Sequence, residues 1–506
     1  MAFGPYAPDR DRIRPAHVAL AAAIMVAGAW LRLRGAQGEL WLDEIWSLNI
    51  AQSLTAWHQA FWDAPQDNNH PINTAWMYLM GEGSAPWVYR LLSVLSSTAG
   101  ILVAGLVAAR RASGNTPARL LVAMLMAATL YPFVHFGSEA RGYAPMMLCA
   151  LLAIAATEDV ETGADLDRAR WTYGLAGLVG VLSHLGILPV LFALSLGFAV
   201  RQMQQGRTVL QAINGAVRLN GPFMGGVLIY TGGIWYGIYA NDNLVEFGGS
   251  TLACPNGDCF TLALDEITRF STGGFGAHLN GLHSGLYGIL VLGAVMWLAA
   301  LGNRRALPLG LVMLGVPLLF LAANQPAAPH GRYFLAVFAF VPLLIAEIVG
   351  ELSGRAKVGR FVAGLVVLAL VAANTWAVNR FVNAGRGDYA RALDHILETQ
   401  GDAPLVIGTE MPFQLSIVMG ETLRKRDPNS QVEYVTFHNM SHAKPPWVIS
   451  VTVAPGALRT TTCAGGLLYN LQGVYGYWGM SGSTWGLYAL SDAPAGPGCL
   501  WLTETL

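Results

Sequence analysis

The chain has 506 residues, 54% of them hydrophobic and only 12% charged, with a formal net charge of -1. Average soluble domains carry about 25% charged residues, so a soluble fold of this length could not hide so much apolar surface. Near-neutral charge and the lack of a basic, aromatic-interleaved patch exclude a nucleic-acid partner.

In lipid every backbone polar group needs an internal partner, so a crossing segment is a helix of about 20 residues. Qualifying apolar runs lie at 16–33, 86–109, 117–136, 142–157, 171–184, 185–200, 219–240, 284–302, 306–323, 333–350 and 360–378. They predict a polytopic α-helical membrane protein with about eleven transmembrane helices. The division within 171–200 is open, because Gly186 and Pro189 fit either a turn or a kink. The first run, behind a basic start, reads as an uncleaved span and not as a signal peptide.

Short-loop arginines and lysines set the orientation. Arg10, Arg12 and Arg14 precede the first run. Arg110, Arg111 and Arg119 follow the second, Arg168 and Arg170 the fourth, and Arg201, Arg207 and Arg218 the sixth. Arg304 and Arg305 follow the eighth, and Arg355, Lys357 and Arg360 the tenth. These clusters mark one face as cytoplasmic, and an odd span count puts the C-terminus outside. Ala- and Gly-rich composition points to a bacterial inner membrane, with the C-terminal part in the periplasm.

Three regions then lie on the outer side. Residues 34–85 and 241–283 are long loops of a membrane domain covering 1–380. Residues 381–506 are long enough for a small domain. Within it 389–400 and 413–425 read as helices, while 404–410, 431–437, 446–453 and 485–490 read as strands, which is an α/β pattern. The cysteines agree with this compartment. Cys254 and Cys259 share the segment CPNGDC, Cys463 and Cys499 share the C-terminal part, and Cys149 sits alone in an apolar run. Two disulfides, Cys254–Cys259 and Cys463–Cys499, with Cys149 free, is the expected pattern. Zinc is the rival, but no histidines stand beside these pairs at ligand spacing.

Five polar clusters fall on the outer side: Asp43 and Glu44 in LWLDEIWS; His70 and Pro71 in DNNHPI; Glu139, Arg141 and Tyr143 in SEARGYA; His184; and His330, Arg332 and Tyr333 in HGRYFL. Arg141 and Arg332 break the positive-inside pattern. Singly each would be an arginine snorkelling to lipid phosphate or pairing with a carboxylate. Two of them, each followed by tyrosine, opposite a carboxylate pair, describe a polar site. The planar guanidinium fork suits a phosphate oxyanion, and a carboxylate suits proton abstraction from a hydroxyl.

In order and spacing these motifs resemble the GT-C class of membrane glycosyltransferases, in the branch of protein O-mannosyltransferases and lipid A aminoarabinose transferases. Those proteins carry an apolar-LDE motif, an HPP motif, an ARGY-like motif and an RYF or RYL motif. Here LDE stands at 42–44, HPI at 70–72, ARGY at 140–143 and RYF at 332–334. The likeness covers roughly residues 20–350. HPI departs from HPP, and the C-terminal domain carries no motif of the family, so the acceptor stays open among lipid, glycan and protein.

The resemblance implies a polyprenyl-phosphate-linked sugar donor and inversion at the anomeric carbon. Asp43 is then the general base, Glu44 orients the acceptor or tunes Asp43, and Arg141 and Arg332 hold the phosphate, with Tyr143 and Tyr333 as donors. His70 binds phosphate or positions the first loop. The chemistry admits a divalent cation, which the sequence does not demand. Each assignment has a plainer counterpart. An Asp-Glu pair at a helix start caps the helix dipole, His70 before Pro71 shapes a turn, His184 is an interior histidine, and Asp63 and Asp67 are solvated loop residues. A transporter or flippase of lipid-linked saccharides is the rival outside the enzyme classes, but it would favour ionisable residues deep within spans, or paired broken helices near mid-membrane, whereas here the ionisable residues gather in loops on one side. A polymerase or ligase of whole glycans would share donor and topology. The sequence does not set the oligomeric state.

Overall fold

A computed structural model describes residues 12–63, 69–112, 114–161, 166–241, 267–273, 283–303, 306–323, 331–355, 357–401, 404–426, 431–452, 458–480 and 483–495. They form two compact units. One comprises Met1–Ala36 with Ile50–Asn379, the other Gln37–Asn49 with Arg380–Leu506.

The first unit is helical. Its elements are α1 (Pro15–Gly35), the end of α2 (Leu42–Ser53), α3 (Pro71–Met80), α4 (Pro86–Arg110), α5 (Thr116–Thr129), α6 (Tyr131–Phe136), α7 (Tyr143–Glu161) and α8 (Leu166–Ser183). Then come α9 (Leu188–Gln204), α10 (Val209–Asn241), α11 (His283–Ala300), α12 (Val341–Ser353) and α13 (Lys357–Ala384). Every apolar run expected to cross is helical over most of its described length. The break within 171–200 falls at His184, ahead of a short 3-10 turn, Leu185–Ile187.

Large side chains on the outer faces of these helices are apolar and open: Leu228, Ile229 and Trp235 on α10, Val358, Phe361 and Leu368 on α13. Such faces belong in lipid, and this is an integral membrane protein. Among the described residues four helices are long and apolar enough to cross, starting at Pro15, Pro86, Leu185 and Lys357. A fifth results if the bent pair Gly331–Phe338 and Val341–Ser353 is one span. The run 306–323 is interrupted by the π turn Leu311–Gly315.

The break between α5 and α6 has a clear cause. Pro132 has no N–H, so the Ala128 carbonyl loses its helical donor. Arg32 of α1 supplies the replacement: its guanidinium donates to the carbonyls of Ala128 at 3.2 Å, Ala127 at 2.8 Å and Gly28 at 2.8 Å, and to Ser97 Oγ at 2.7 Å. Ser97 Oγ in turn donates to the Phe133 carbonyl at 3.0 Å. On the other side, Asn374 of α13 accepts the Tyr131 N–H at 2.8 Å. Three helices thus hold a fourth in its broken form.

Several arginines that the sequence places in cytoplasmic loops are instead buried. Arg111 pairs with Glu158 and, at 3.1 Å, with Glu347; Arg119 pairs with Glu347 and, at 2.8 Å, with Glu351; Arg201 reaches Glu158 at 3.2 Å. Asn303 adds a bond to Glu347 at 3.0 Å. The network ties together α4, α5, α7, α9 and α12. Ionisable residues therefore also occur inside the helical unit, where they meet one another.

The second unit holds a six-stranded mixed sheet in the order β2-β1-β3-β6-β5-β4. Its strands are β1 (Leu405–Thr409), β2 (Val432–Thr436), β3 (Trp447–Thr452), β4 (Thr461–Ala464), β5 (Leu467–Tyr475) and β6 (Thr484–Leu490). β1 runs parallel to β2 and β3, and the remaining pairs are antiparallel. Helices α14 (Tyr389–Gln400) and α15 (Pro412–Arg426) complete the α/β unit. The β4–β5 hairpin turns on Gly465-Gly466, both at positive φ (61° and 76°), as a two-residue primed turn requires. Cys149 is a buried free thiol. Cys254, Cys259 and Cys499 lie outside the described residues, as does most of the loop 241–283.

Replacing Arg32 by Ala should cost about 1–3 kcal/mol for each carbonyl left without a donor, whereas the exposed Arg34→Ala should change little. Thermal unfolding of the two purified variants checks the difference.

Candidate functional site

The ARGY turn links α6 to α7, and its local ties explain its shape. Asn73 Nδ2 donates to the Ala140 carbonyl at 2.8 Å, Ser93 Oγ donates to that of Arg141 at 3.0 Å, and the Arg141 N–H donates to that of Glu139 at 2.8 Å. Gly142 is required by space. A Cβ there would collide with the Ser183 carbonyl oxygen and crowd His70. The start of α7 therefore presses directly on the start of α3 and the end of α8.

That close approach gathers side chains from distant stretches of sequence. The His70 and His184 rings stack at 5.0 Å, with 20° between their planes. Tyr143 lies 4.7 Å from His184 and 5.8 Å from His70. The Arg141 guanidinium stands 5.3 Å over the Tyr143 ring and donates to its hydroxyl at 3.3 Å. Arg332, from the 3-10 turn Gly331–Phe334 that opens the bent pair, is close enough for its charge to act on His70; its own guanidinium stands 5.7 Å over Tyr333. His70, Arg141 and Tyr143 are 4%, 5% and 3% exposed, so charges here act through little solvent.

Burial, and next the positive charge of Arg141, drive the His70 pKa well below its ordinary value. His184 pushes the same way, a hydrogen bond to the Ser183 backbone opposes them, and Arg332 adds a smaller downward push. The ring is neutral at pH 7. Its Nε2 is buried without a hydrogen-bond partner, so it can take up a proton when an anion enters and offsets the arginines. His135 and Glu139, one helical turn apart and fully buried, add a pair at 3.5 Å beside the turn. Glu139 stands out in the sequence as part of the ARGY cluster and His135 does not, although their four-residue spacing fits one helix face.

Asp43 and Glu44 lie in the second unit, in the first turn of α2. Glu44 accepts the Trp41 N–H at 3.1 Å, the return bond of a capping box. Ser47 Oγ donates to the Asp43 carbonyl at 2.9 Å. Asp43 is 9% exposed and Glu44 fully buried. His330 and Asp67 lie outside the described residues. Among those described, no three His, Cys, Asp or Glu side chains converge as a metal site.

No family model and no curated protein matches this chain. Solved structures of similar outline include the oligosaccharyltransferase of Archaeoglobus fulgidus in its apo form, with TM-score 0.49 and 11% identity over 77% of this chain and 58% of that one. The chain spans little more than half the length of that protein. Oligosaccharyltransferase AglB from the same organism, in complex with an inhibitory peptide and a dolichol-phosphate, gives TM-score 0.48 and 11% identity over 86% and 69%. ArnT from Cupriavidus metallidurans bound to undecaprenyl phosphate gives TM-score 0.45 and 13% identity over 95% and 98%. These are GT-C glycosyltransferases, the class the sequence motifs resemble. At identities and TM-scores this low, nothing of their ligands or reactions passes to this chain by likeness alone.

Gly142→Ala should cost about 1–3 kcal/mol, the usual range for overpacking, while Gly225→Ala, with open space around its Cβ, should not destabilise. A second expectation concerns pH. His70 binds a proton less readily folded than unfolded, so stability should be flat above its unfolded pKa of about 6.5. It should fall as pH drops below that value. Unfolding temperatures of wild type and His70→Gln between about pH 5 and 8 measure this slope, which the variant should flatten.

Proposed function

We propose that this chain is a membrane glycosyltransferase of the GT-C type, moving a sugar from a polyprenyl-phosphate donor to a hydroxyl of an extracytoplasmic acceptor. The observation that carries the reading is the cluster in which the buried His70, Arg141 and Tyr143 meet the half-buried His184 and Arg332. Two guanidiniums beside a neutral histidine with a spare ring nitrogen suit one ligand chemistry above others, a phosphate oxyanion. The order of the LDE, HPI, ARGY and RYF motifs supports the same class.

In the reaction the acceptor oxygen bonds to the anomeric carbon while the bond from that carbon to the phosphate oxygen breaks, with inversion. The electron pair leaves with the polyprenyl phosphate, whose charge Arg141 and Arg332 stabilise, with Tyr143 and Tyr333 as hydroxyl donors. Asp43 takes the acceptor proton. Glu44, engaged with the Trp41 N–H, fixes the start of the helix that presents Asp43. A divalent cation remains compatible with this chemistry. The reading keeps about eleven crossings, a cytoplasmic N-terminus, a periplasmic C-terminal domain beyond residue 380, and disulfides Cys254–Cys259 and Cys463–Cys499. A lipid, glycan or protein acceptor fits it equally. The buried carboxylates Glu158 and Glu347 each pair with two arginines, which argues against a transport path, while a polymerase or ligase would share donor and topology.

The test is turnover by purified protein given polyprenyl phosphate carrying radiolabelled mannose, glucose or aminoarabinose, with cell-envelope fractions as acceptor. Asp43→Asn should lower turnover about 10²–10⁴-fold, the contribution of a general base. Arg141→Lys and Arg332→Lys should both be impaired, because an ammonium does not reproduce a bidentate fork. Glu44→Gln should be mild, since its amide oxygen can still accept the Trp41 N–H. Full activity of Asp43→Asn would remove Asp43 as base, and full activity of both arginine variants would remove the phosphate site.

A further inference from the structure

The stretch Gln37–Asn49, which holds all of α2 but its last four residues, is compact with Arg380–Leu506. Its attachments recur along its length. Before α2 begins, Glu39 accepts the Ala390 N–H of the first turn of α14 at 3.2 Å. One turn into α2, Trp46 meets Phe413 of α15 edge to face, with ring centroids 5.5 Å apart and 82° between planes. At Asn49 the helix lines a cavity of about 440 Å³ together with Ser416, Ile417 and Leu423 of α15 and Val432 and Tyr434 of β2. The Asn49 side-chain oxygen is buried there without a hydrogen-bond partner. Behind the first attachment Tyr389 is 3% exposed, packs on Trp485 at 4.4 Å, and feels the charges of Glu39 and Glu44.

We infer that the C-terminal α/β unit is the scaffold of the candidate base, with Phe413 and Glu39 as positioning residues that fix the pose of the helix carrying Asp43. The inference rests on the reading of Asp43 proposed above and gives the C-terminal unit a task within the same reaction. Geometry explains why these two attachments matter. Asp43 and Trp46 are three residues apart, neighbours on the helix surface, so the aromatic pairing at Trp46 sets the direction in which Asp43 projects. Glu39 anchors the entry to the helix, and Glu44 closes its first turn. The Phe413 ring against Trp46 opposes rotation of the helix about its axis. Catalytic groups tolerate little of that, since a displacement of about 1 Å can cost about 10²-fold in rate.

The experiment compares Phe413→Ala, Phe413→Tyr and Glu39→Ala in the full-length protein. Phe413 is 59% exposed, so its truncation removes little core. Two readouts are taken: hydrogen exchange of the backbone amides of 42–49, and turnover with the polyprenyl-phosphate sugar that wild type uses. Phe413→Ala and Glu39→Ala should speed exchange over 42–49 and lower kcat about ten- to a hundredfold. KM for the lipid donor should stay unchanged, because the phosphate cluster belongs to the other unit. Phe413→Tyr, which keeps the ring edge, should restore both. Unchanged exchange over 42–49 in Phe413→Ala would overturn the inference. So would undiminished kcat in that variant while Asp43→Asn is inactive. If Asp43→Asn is itself fully active, the assignment of the base has failed instead, and exchange alone then decides the positioning role.

Discussion

The arrangement of the first unit depends on a missing hydrogen. Pro132 offers no N–H, and in apolar surroundings the carbonyl it leaves open must find another donor. Arg32 and Asn374, from helices distant in sequence, supply the substitutes on the two sides of the break. The short helix beyond the break is thereby set at a fixed angle and carries Phe136 toward Tyr143. The ARGY turn then begins where that helix ends. A guanidinium aimed at carbonyls and a serine hydroxyl is well used here, because its five donors can cap several acceptors at once.

Arginine does three different jobs in this chain, and partners distinguish them. Arg32 meets carbonyls, Arg111, Arg119 and Arg201 meet carboxylates, and Arg141 and Arg332 stand over tyrosine rings. Counting basic residues along the sequence treats all of these as loop charges. Burial separates them. The ion-pair network also bears on the flippase alternative. Ionisable residues inside a helical bundle can mark a transport path, yet Glu158 and Glu347 each bridge two arginines at helix ends, an arrangement that locks helices together. Along α7 the network at Glu158 and the cluster at Tyr143 are about 22 Å apart, at 1.5 Å per residue.

Helices and most strands were legible because hydrophobic period and length declare them directly. The stretches 389–400, 413–425, 431–437, 446–453 and 485–490 read as elements and fold as such. The β4–β5 hairpin was missed although Gly465-Gly466 signals it, since the strand before the turn is only four residues long. His70, Arg141, Tyr143 and Arg332 were visible as residue types at helix boundaries. The stacking of His70 on His184 was not, because it depends on the close approach at Gly142, and a glycine's neighbours are not written in the local sequence. His135 escaped although its spacing to Glu139 fits one helix face, because the burial of that face is not written in the local sequence.

The LDE motif shows how a pair of adjacent carboxylates divides its work. Leu42 opens the helix, so Asp43 and Glu44 occupy its second and third positions, where backbone N–H groups and the helix dipole favour negative charge. Their one-residue offset then separates them. The third residue can reach back to the N–H before the helix, and Glu44 does so at Trp41; its charge is committed to holding the turn. Asp43 has a shorter side chain and stands one position short of that reach, while its carbonyl is anchored by Ser47. Two acids of similar intrinsic pKa are thus separated by geometry into one that shapes the helix start and one that we propose acts on the substrate. The cap belongs to Glu44, and by fixing the first turn of the helix it also fixes where Asp43 stands.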